Sequence, residues 1–270
     1  MTKYLLAAVC SGLFLTGTVR TSLTAQVRYA RGQDVSPTFD GWEQNSDGTY
    51  SLHFGYFNRN SEEELDVLIG PENNVDPGGD RGQPTHFYTA RKWWVFKVTV
   101  PKDWPKEQRV VWTLTTHGKT SQAKGWLQPE WEVDYGVISK NAARDPFLMT
   151  TNSGDADHEN RPPSITGSSA QTIALSDTLT LIATATDDGR PKPLVDAAAG
   201  QQGVRVRWIL YRGPGRVRFD PDIMSQRVYG KPATLETKVT FSVPGTYRLR
   251  AIANDGQLFS TYDVDVTVRR

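Results

Sequence analysis

Short turns that carry aspartate are the first candidates for chemistry in this chain. Asp187 and Asp188 follow a predicted strand and precede a glycine, and Asp255 lies in an Asn-Asp-Gly turn between the last two predicted strands. Carboxylate oxygens suit calcium, so these three side chains are candidate calcium ligands. The same sequences also form ordinary turns in which the side chain accepts hydrogen bonds from its own backbone, and both interpretations stay open.

A second group of candidates is basic and lies on and after one predicted strand. Its members are Arg205, Arg207, Arg212, Arg216 and Arg218. Such a cluster can face nucleic acid, anionic lipid or an acidic protein surface, or it can be the solvated face of a sheet. The N-terminus indicates export, so we predict no nucleic-acid partner. The functional interpretation is contact with the acidic first half of the chain or with an acidic protein partner.

The histidines and the remaining carboxylates show no spacing that is typical of a catalytic or zinc centre. The four histidines are His53, His86, His117 and His158. Candidate carboxylates for a glycosidase pair are Glu62, Glu63, Glu64, Asp66, Glu130, Glu132 and Asp134. The sequence does not give their separation, which a glycosidase fixes. We therefore predict that the chain is not an enzyme, and glycoside hydrolysis is a weaker alternative.

Tryptophan is concentrated in the first half of the chain, where seven of the eight lie between residues 42 and 131. An indole buries a large apolar area, so core packing is the first interpretation. The alternative is an exposed aromatic platform that stacks on sugar rings. Its candidate residues are Trp93, Trp94, Trp104 and Trp126.

The N-terminus, residues 1–25, has the layout of a secretory signal peptide. Lys3 precedes an apolar run over residues 4–15, which is shorter than the roughly 20 residues of a membrane-spanning helix. Cys10 is the only cysteine, so a chain cleaved after Ala25 would have neither a disulfide nor a cysteine-based metal site. We expect the protein in the periplasm, at the outer face of the cytoplasmic membrane or in the medium, with peripheral membrane association as one alternative.

A polar stretch over residues 152–163 lacks side chains able to anchor a core and ends in two prolines, which predicts a linker. It separates a Trp-rich module, residues 26–151, from a second module, residues 164–270. From residue 26 to residue 160 the chain has 14 basic and 20 acidic residues, and from residue 161 it has 15 and 10. The opposite charges favour docking of the modules on each other or on neighbouring molecules, with compositional drift as the alternative.

Both modules alternate β-rich segments with turn signals. Strands are predicted in the first module at residues 49–56, 64–69, 93–100 and 109–116, and in the second at residues 179–186, 204–211, 235–243, 246–253 and 262–268. In the segment 204–210, Val204, Val206, Trp208 and Leu210 alternate with Arg205, Arg207 and Ile209. This alternation predicts one buried and one partly solvated face.

Two resemblances accompany these patterns. Residues 41–45 (Gly-Trp-Glu-Gln-Asn) and 54–60 (Phe-Gly-Tyr-Phe-Asn-Arg-Asn) resemble the start of uncharacterised exported bacterial proteins, which implies no function. Over about residues 162–270 the chain resembles immunoglobulin-like and polycystic-kidney-disease (PKD)-type sandwich domains. Trp208 matches their core tryptophan, Tyr247 the tyrosine-corner residue, and Leu249 stands where immunoglobulins carry their second cysteine.

The second resemblance implies a cysteine-free sandwich with Trp208, Tyr247 and Leu249 in its core. It also implies that the turns of Asp187 and Asp255 lie at the same end of the sandwich, so that the three carboxylates can converge. No other cofactor is predicted. A fold of this kind serves many functions and limits the choice little.

The sequence therefore predicts an all-β fold, with two immunoglobulin-like β-sandwich modules after a signal peptide. Export, opposite module charges and the lack of a catalytic signature favour a non-enzymatic interaction or scaffold protein, such as an accessory subunit of a bacterial membrane or envelope complex. Its protein partners would bind loops, such as residues 76–84, 187–203 and 212–231, and charged sandwich faces. The alternative is a carbohydrate-binding protein that is secreted or held at the cell surface.

Overall fold

The computed structural model describes residues 29–142, 145, 147–148, 157–192, 203–220 and 224–270. The all-β prediction is confirmed, since strands dominate both halves of the chain. The predicted signal peptide and residues 152–156 of the predicted linker lie outside the described residues, as do parts of the loops 187–203 and 212–231. Within the described ranges, no helix is long and apolar enough to cross a membrane.

The described residues of the first half of the chain form eight strands and two short helical segments. The strands are β1 (Val35–Gln44), β2 (Tyr50–Asn58), β3 (Leu65–Asp66), β4 (Asn73–Asp76), β5 (His86–Phe87), β6 (Ala90–Val100), β7 (Val110–Thr116) and β8 (Lys119–Gly125). A 3-10 helix, Pro129–Trp131, and α1, Tyr135–Ala142, follow them. The sheets have the orders β1-β2-β6, β4-β7-β8 and β3-β5. The two three-stranded sheets enclose one core, in which Phe54 packs on Phe96 and Trp112.

The predicted strand 49–56 is confirmed as β2, which pairs with both β1 and β6, is buried on both faces and has a register shift between Phe54 and Tyr56. One strand prediction in this half needs correction. The predicted strand 64–69 is reduced to Leu65–Asp66. The chain leaves the sheet there, and Asn73 holds it through a 2.9 Å hydrogen bond from Nδ2 to the carbonyl of Val67.

Buried amide side chains hold the loops of this half. Asn58 is fully buried and donates to the carbonyls of Glu63 (2.8 Å) and Phe87 (3.1 Å). Asn60 accepts from the backbone N–H of Gln33 at 2.7 Å and donates to the carbonyl of the same residue at 2.7 Å. These bonds satisfy backbone groups that the short strands leave unpaired. Within the segment 54–60, Asn58 and Asn60 therefore hold the neighbouring loops in place.

In the second half, the residues that the structure describes form two four-stranded sheets. The strands are β9 (Ser164–Gly167), β10 (Gln171–Ala174), β11 (Leu179–Thr186), β12 (Arg205–Arg212), β13 (Val217–Asp220), β14 (Ala233–Phe241), β15 (Gly245–Asn254) and β16 (Phe259–Arg269). The sheet orders are β10-β16-β15-β12 and β13-β14-β11-β9. Strand β10 pairs in parallel with β16, and the other pairs are antiparallel.

This arrangement is that of an immunoglobulin-like sandwich, so the predicted resemblance is confirmed. Trp208, Tyr247 and Leu249 are fully buried between the two sheets. The hydroxyl of Tyr247 donates to the backbone carbonyl of Val243 at 2.7 Å, which is the bond of a tyrosine corner.

The prediction of a partly solvated face on β12 is wrong. Arg205 and Ile209 are buried, and Arg207 is half-buried. The reason is not visible in the strand itself, because the first half of the chain packs against this face. The interface between the two halves therefore determines what β12 can contact.

Candidate functional site

The two halves of the chain, called modules from here on, pack on each other through an apolar interface. Trp94 of β6, Ile209 of β12 and Ile252 of β15 are each at most 7% exposed within it. The surrounding side chains include Tyr88, Trp93, Ile138, Phe147 and Phe259. Removal of this surface from water stabilises the docked arrangement, so that the modules present one continuous surface.

Hydrogen bonds join the loop before β5 to the end of β12. The hydroxyl of Tyr211 donates to the carbonyl of Gly82 at 2.6 Å, and the backbone N–H of Thr85 donates to the carbonyl of Tyr211 at 3.1 Å. Arg212 donates from Nε to the carbonyl of Gln83 at 2.8 Å. Its two terminal nitrogens bind both carboxylate oxygens of Asp80 at 2.9 and 2.8 Å, a bidentate pair that fixes orientation.

Arg250 of β15 makes a polar contact across the interface. Its Nη1 donates to the carbonyl of Val95 in β6 at 2.8 Å, while Nε and Nη2 bind Asp263 at 2.7 and 2.9 Å. The guanidinium also lies 3.4 Å from the ring centroid of Tyr211. One side chain therefore connects the sheets of both modules.

A cleft of about 580 Å³ lies beside this interface and is lined by both modules. Its first-module side carries Glu62, Glu63, Glu64, Asp66 and Arg31, and its second-module side carries Arg207 and Arg216. Phe147 of the first module and Leu210 of the second module supply apolar lining. An acidic side facing a basic side gives a directed electrostatic field, which suits a ligand that carries both charges, such as a polypeptide segment.

His86 lies on the acidic side of the cleft. Its Nδ1 is 2.7 Å from Oδ1 of Asp66, and its Nε2 is 3.2 Å from Oε2 of Glu64. Burial lowers the pKa of His86, but the hydrogen bonds and charges of the two carboxylates outweigh burial and raise the pKa to about 8. The ring is therefore protonated at pH 7 and donates through both nitrogens.

This geometry bears on the hydrolase alternative. A histidine and two carboxylates do line one cleft at bonding distance, which is the convergence that such an enzyme would need. However, a general base needs a free ring nitrogen, and both nitrogens of His86 face carboxylates. The arrangement acts as an ion triad that fixes Glu64 and Asp66 in place.

We expect the charged His86 to contribute a part of the stability that depends on pH. Its folded-state pKa of about 8 lies above the ordinary value of 6.5, so the contribution is complete below pH 6.5 and is lost as pH rises through 8. A shift of this size corresponds to about 2 kcal/mol. Urea denaturation should show that the stability difference between wild type and His86→Gln shrinks by about 2 kcal/mol from about pH 6 to about pH 9.

His117→Gln is the matched control for this prediction. His117 also faces a carboxylate, Glu63 at 3.2 Å, but its side chain is 36% exposed. The stability difference between wild type and this variant should change by less than about 0.5 kcal/mol over the same pH range. A difference for His86→Gln that stays constant with pH would contradict the assignment of a charged triad.

The predicted arginine cluster divides into two groups. Arg205, Arg207 and Arg212 turn towards the first module: Arg205 donates to the carbonyl of Leu148 at 3.3 Å, and Arg207 lies 4.3 Å from the ring centroid of Phe147. Arg216 and Arg218 are exposed. The first group therefore belongs to the interface, and Arg216 of the second group lines the cleft.

The predicted tryptophan platform is not assembled as one surface. Trp94 is buried, and its ring is tilted by 37° from that of Trp93, so the two are not coplanar. The indole of Trp104 donates to the carbonyl of Gln108 at 3.1 Å. Trp126 instead lines a separate cleft of about 420 Å³ together with Trp93, Phe39 and Trp131, a residue that is 44% exposed.

The three predicted calcium ligands all bind backbone amides of their own turns. Oδ2 of Asp187 accepts from Gly189 at 3.0 Å, and Oδ1 of Asp188 accepts from Arg190 at 2.9 Å. Oδ1 of Asp255 accepts from the N–H groups of residues 257 and 258 at 2.6 and 2.7 Å. Among the described residues, no group of three or more His, Cys, Asp and Glu side chains is placed to hold a metal ion.

Several interface residues were not singled out by the sequence. Tyr88 accepts from the backbone N–H of Leu210 at 2.9 Å, and Arg250 and Asp80 make the contacts given above. Of these three residues, only Asp80 lies in a segment that the sequence predicted to supply contacts, the long loop 76–84. Tyr88 and Arg250 lie in or near strands, where their residue types are unremarkable.

Comparisons with known proteins add structural likeness only. No known family model matches the chain, and it has no match among curated proteins. The PKD domain of human KIAA0319 is 18% identical, covering 44% of this chain and 91% of that chain, with a TM-score of 0.23. AggA, the major subunit of aggregative adherence fimbriae type I of Escherichia coli, is 16% identical to this chain. The match covers 40% of this chain and 95% of AggA, with a TM-score of 0.24.

A conjugative transposon lipoprotein from Bacteroides eggerthii is 12% identical, covering 38% of this chain and 96% of that chain, with a TM-score of 0.24. These likenesses carry no functional argument. The order and pairing of the strands establish the fold.

Proposed function

We propose that this chain is an exported, non-enzymatic interaction protein, which acts as an accessory subunit of a bacterial membrane or envelope complex and binds a protein partner in the inter-module cleft. One observation carries the proposal: docking of the modules creates a cleft with carboxylates on one side and arginines on the other. Neither module contains this cleft alone.

The exposed charges of the cleft define the kind of segment that it would bind. Glu62 of the first module and Arg216 of the second module are both exposed, and Phe147 is an apolar residue of the lining. A partner segment with a basic residue facing Glu62 and an acidic residue facing Arg216 would be oriented in one direction. Binding should therefore weaken as salt is added, because exposed charges are screened.

Two further features support this function over catalysis and over a cytoplasmic role. His86, the titratable group best placed for catalysis in the cleft, has both nitrogens bound to carboxylates. The N-terminal 25 residues have the order of a secretory signal, with Lys3 before an apolar run and small or polar residues at the end.

Site-specific photo-crosslinking tests the location of partner binding. A photoreactive residue in place of Glu62 should form a crosslink to one other protein in cells of the source organism. The same residue in place of Lys238, which is exposed on the outer face of β14, is the matched control because it also removes one charge. We expect no such product from the control. Equal crosslinking at both positions, or none at Glu62, would contradict the proposal.

A second candidate function is carbohydrate binding at the cleft of Trp126 and Trp131. The specific observation is that Phe39 and Trp126 stack at 13° with Trp131 beside them, and that Gln122 and Lys124 lie at the same cleft. Indoles stack on sugar rings while polar side chains bind hydroxyl groups. Retardation of the wild type, but not of Trp131→Ala, in a native gel containing a polysaccharide would support it.

A further inference from the structure

Strand β13 is an edge strand that borders the inter-module cleft. It pairs with β14 on one side and is the last strand of its sheet, whose order is β13-β14-β11-β9. Val217 and Phe219 of this strand line the cleft, as does Arg216, which precedes it. An edge strand presents backbone N–H and C=O groups that can pair with a further strand. The cleft is therefore bordered by backbone as well as by charged side chains.

The pairing with β14 shows which backbone groups of β13 face away from its sheet. The N–H of Ser242 donates to the carbonyl of Arg216 at 3.0 Å. In an antiparallel pair, alternate residues exchange hydrogen bonds with the neighbouring strand. The backbone groups of Arg216 and Arg218 therefore point to β14, and those of Val217 and Phe219 point away from it. Among the residues that the structure describes, no hydrogen bond or bridge joins the backbone of Val217 or Phe219 to a third strand.

Strand β12 lines the same cleft, but its edge is occupied. The N–H of Ser225 donates to the carbonyl of Val206 at 2.8 Å, and the hydroxyl of Ser225 accepts from the N–H of Val206 at 2.9 Å. The hydroxyl of Tyr88 accepts from the N–H of Leu210 at 2.9 Å. Of the two second-module strands at the cleft, β13 therefore offers the open edge.

The side chains around this edge define the composition of a strand that fits it. Val217 and Phe219 are half-buried and pack against the core of the second module. Side chains alternate between the two faces of a strand, so every second side chain of an added strand would lie beside these two residues, where apolar side chains fit. Glu62 and Arg216 are exposed in the same cleft and carry opposite charges. They favour a basic residue of the partner towards Glu62 and an acidic residue beside Arg216.

We propose that the partner binds by β-strand addition, in which an extended segment of the partner pairs with Val217 and Phe219 and becomes the fifth strand of this sheet. This mode of binding rests on the function proposed above. Main-chain hydrogen bonds provide affinity, while alternate side chains and the two charges provide specificity. Because β13 has four residues, the paired part of the segment is about four residues, or about 13 Å, long.

Proline substitution combined with photo-crosslinking tests strand addition. A photoreactive residue in place of Glu62 reports contact with the partner in cells of the source organism. Val217→Pro removes an N–H that faces away from β14, and proline blocks pairing at a sheet edge. We expect Val217→Pro to lower the yield of the Glu62 crosslink at least about tenfold. Circular dichroism of the purified variant shows whether its fold is kept.

Ile165→Pro is the matched control for Val217→Pro. Ile165 lies in β9, at the opposite edge of the same sheet, and it is also half-buried and packed against the core of the second module. The N–H of Ser168 donates to the carbonyl of Ile182 in β11 at 2.9 Å, so by the same alternation the N–H of Ile165 faces away from β11. Ile165→Pro should change the crosslink yield by less than about twofold.

Amide hydrogen exchange of the wild type gives a second measurement, which does not depend on whether a variant folds. The N–H groups of Val217 and Phe219 should exchange at least about tenfold more slowly in the assembly isolated with the partner than in the isolated chain. The N–H of Arg218, which already faces β14, should change by less than about twofold.

The outcomes separate strand addition from partner binding itself. A Glu62 crosslink that Val217→Pro leaves unchanged, or exchange at Val217 and Phe219 that the assembly leaves unchanged, would overturn strand addition and leave the partner in the cleft. A crosslinked product that contains only this chain would overturn it too, because the segment would then come from a second copy. A wild type without a Glu62 crosslink would instead contradict the proposed function and, with it, strand addition.

Discussion

Replacing Arg250 with alanine should lower the free energy of unfolding by about 2–4 kcal/mol, the largest effect expected at the module interface. Its side chain is 13% exposed and binds Asp263, the carbonyl of Val95 and the face of Tyr211 at once. The substitution leaves the Asp263 carboxylate without its partner, opens a gap over Tyr211 and removes a bond between the modules. Urea denaturation followed by tryptophan fluorescence measures the change.

Arg248→Ala is the matched control, because the chemistry is the same and the location differs. Arg248 lies two residues earlier on β15 and binds Asp265 at 2.8 and 2.9 Å, so both arginines form bidentate pairs with β16. The Arg248 pair is more exposed, at 35% and 51% for the two side chains. Loss of the Arg248 pair should lower the free energy of unfolding by less than about 1 kcal/mol. Equal effects of the two substitutions would mean that Arg250 does not stabilise the docked modules.

Replacing Asn73 with alanine should lower the free energy of unfolding by about 3–5 kcal/mol. Asn73 is fully buried and donates to the carbonyls of Val67 (2.9 Å) and Pro84 (2.8 Å), while its Oδ1 accepts from the indole N–H of Trp112 (2.9 Å). Alanine would leave three buried polar groups without partners and a cavity beside Trp112. The loops on either side of β4 would lose their common anchor.

Asn74→Ala controls for the loss of an asparagine from the same strand. Asn74 is half-buried and lies on the opposite face of β4 from Asn73. Asn74→Ala should lower the free energy of unfolding by less than about 1 kcal/mol in the same urea experiment. Should Asn73→Ala unfold at the urea concentration of the wild type, the hydrogen bonds around Trp112 would not be the support of these loops.

Alternation in the sequence predicts the second module well and the first module less well. Strand β11 was predicted at residues 179–186 and is found there, because its residues alternate between the core and solvent. Strand β2 breaks this rule, since it is buried on both faces and carries a register shift. The segment 64–69 has the composition of a strand, but Asn73 holds the carbonyl of Val67 outside a sheet.

The cleft could not be predicted from periodicity, because it depends on how two modules dock. Arg207 and Ile209 carry the pattern of a partly solvated face, and only the position of the first module explains their burial. Asp66 and His86 lie opposite each other on β3 and β5, two strands of two residues that no pattern reveals. Opposite module charges favoured docking, but they did not indicate which residues meet.

We propose that this chain belongs to a larger assembly through its inter-module cleft. Gentle detergent extraction of membranes from the source organism, followed by native gel separation and mass spectrometry, tests it most directly. We predict that the wild type migrates with other proteins in a large assembly and that Arg216→Glu shifts the chain to the position of the free monomer. A wild-type chain that migrates as a free monomer would contradict the claim and favour carbohydrate binding instead.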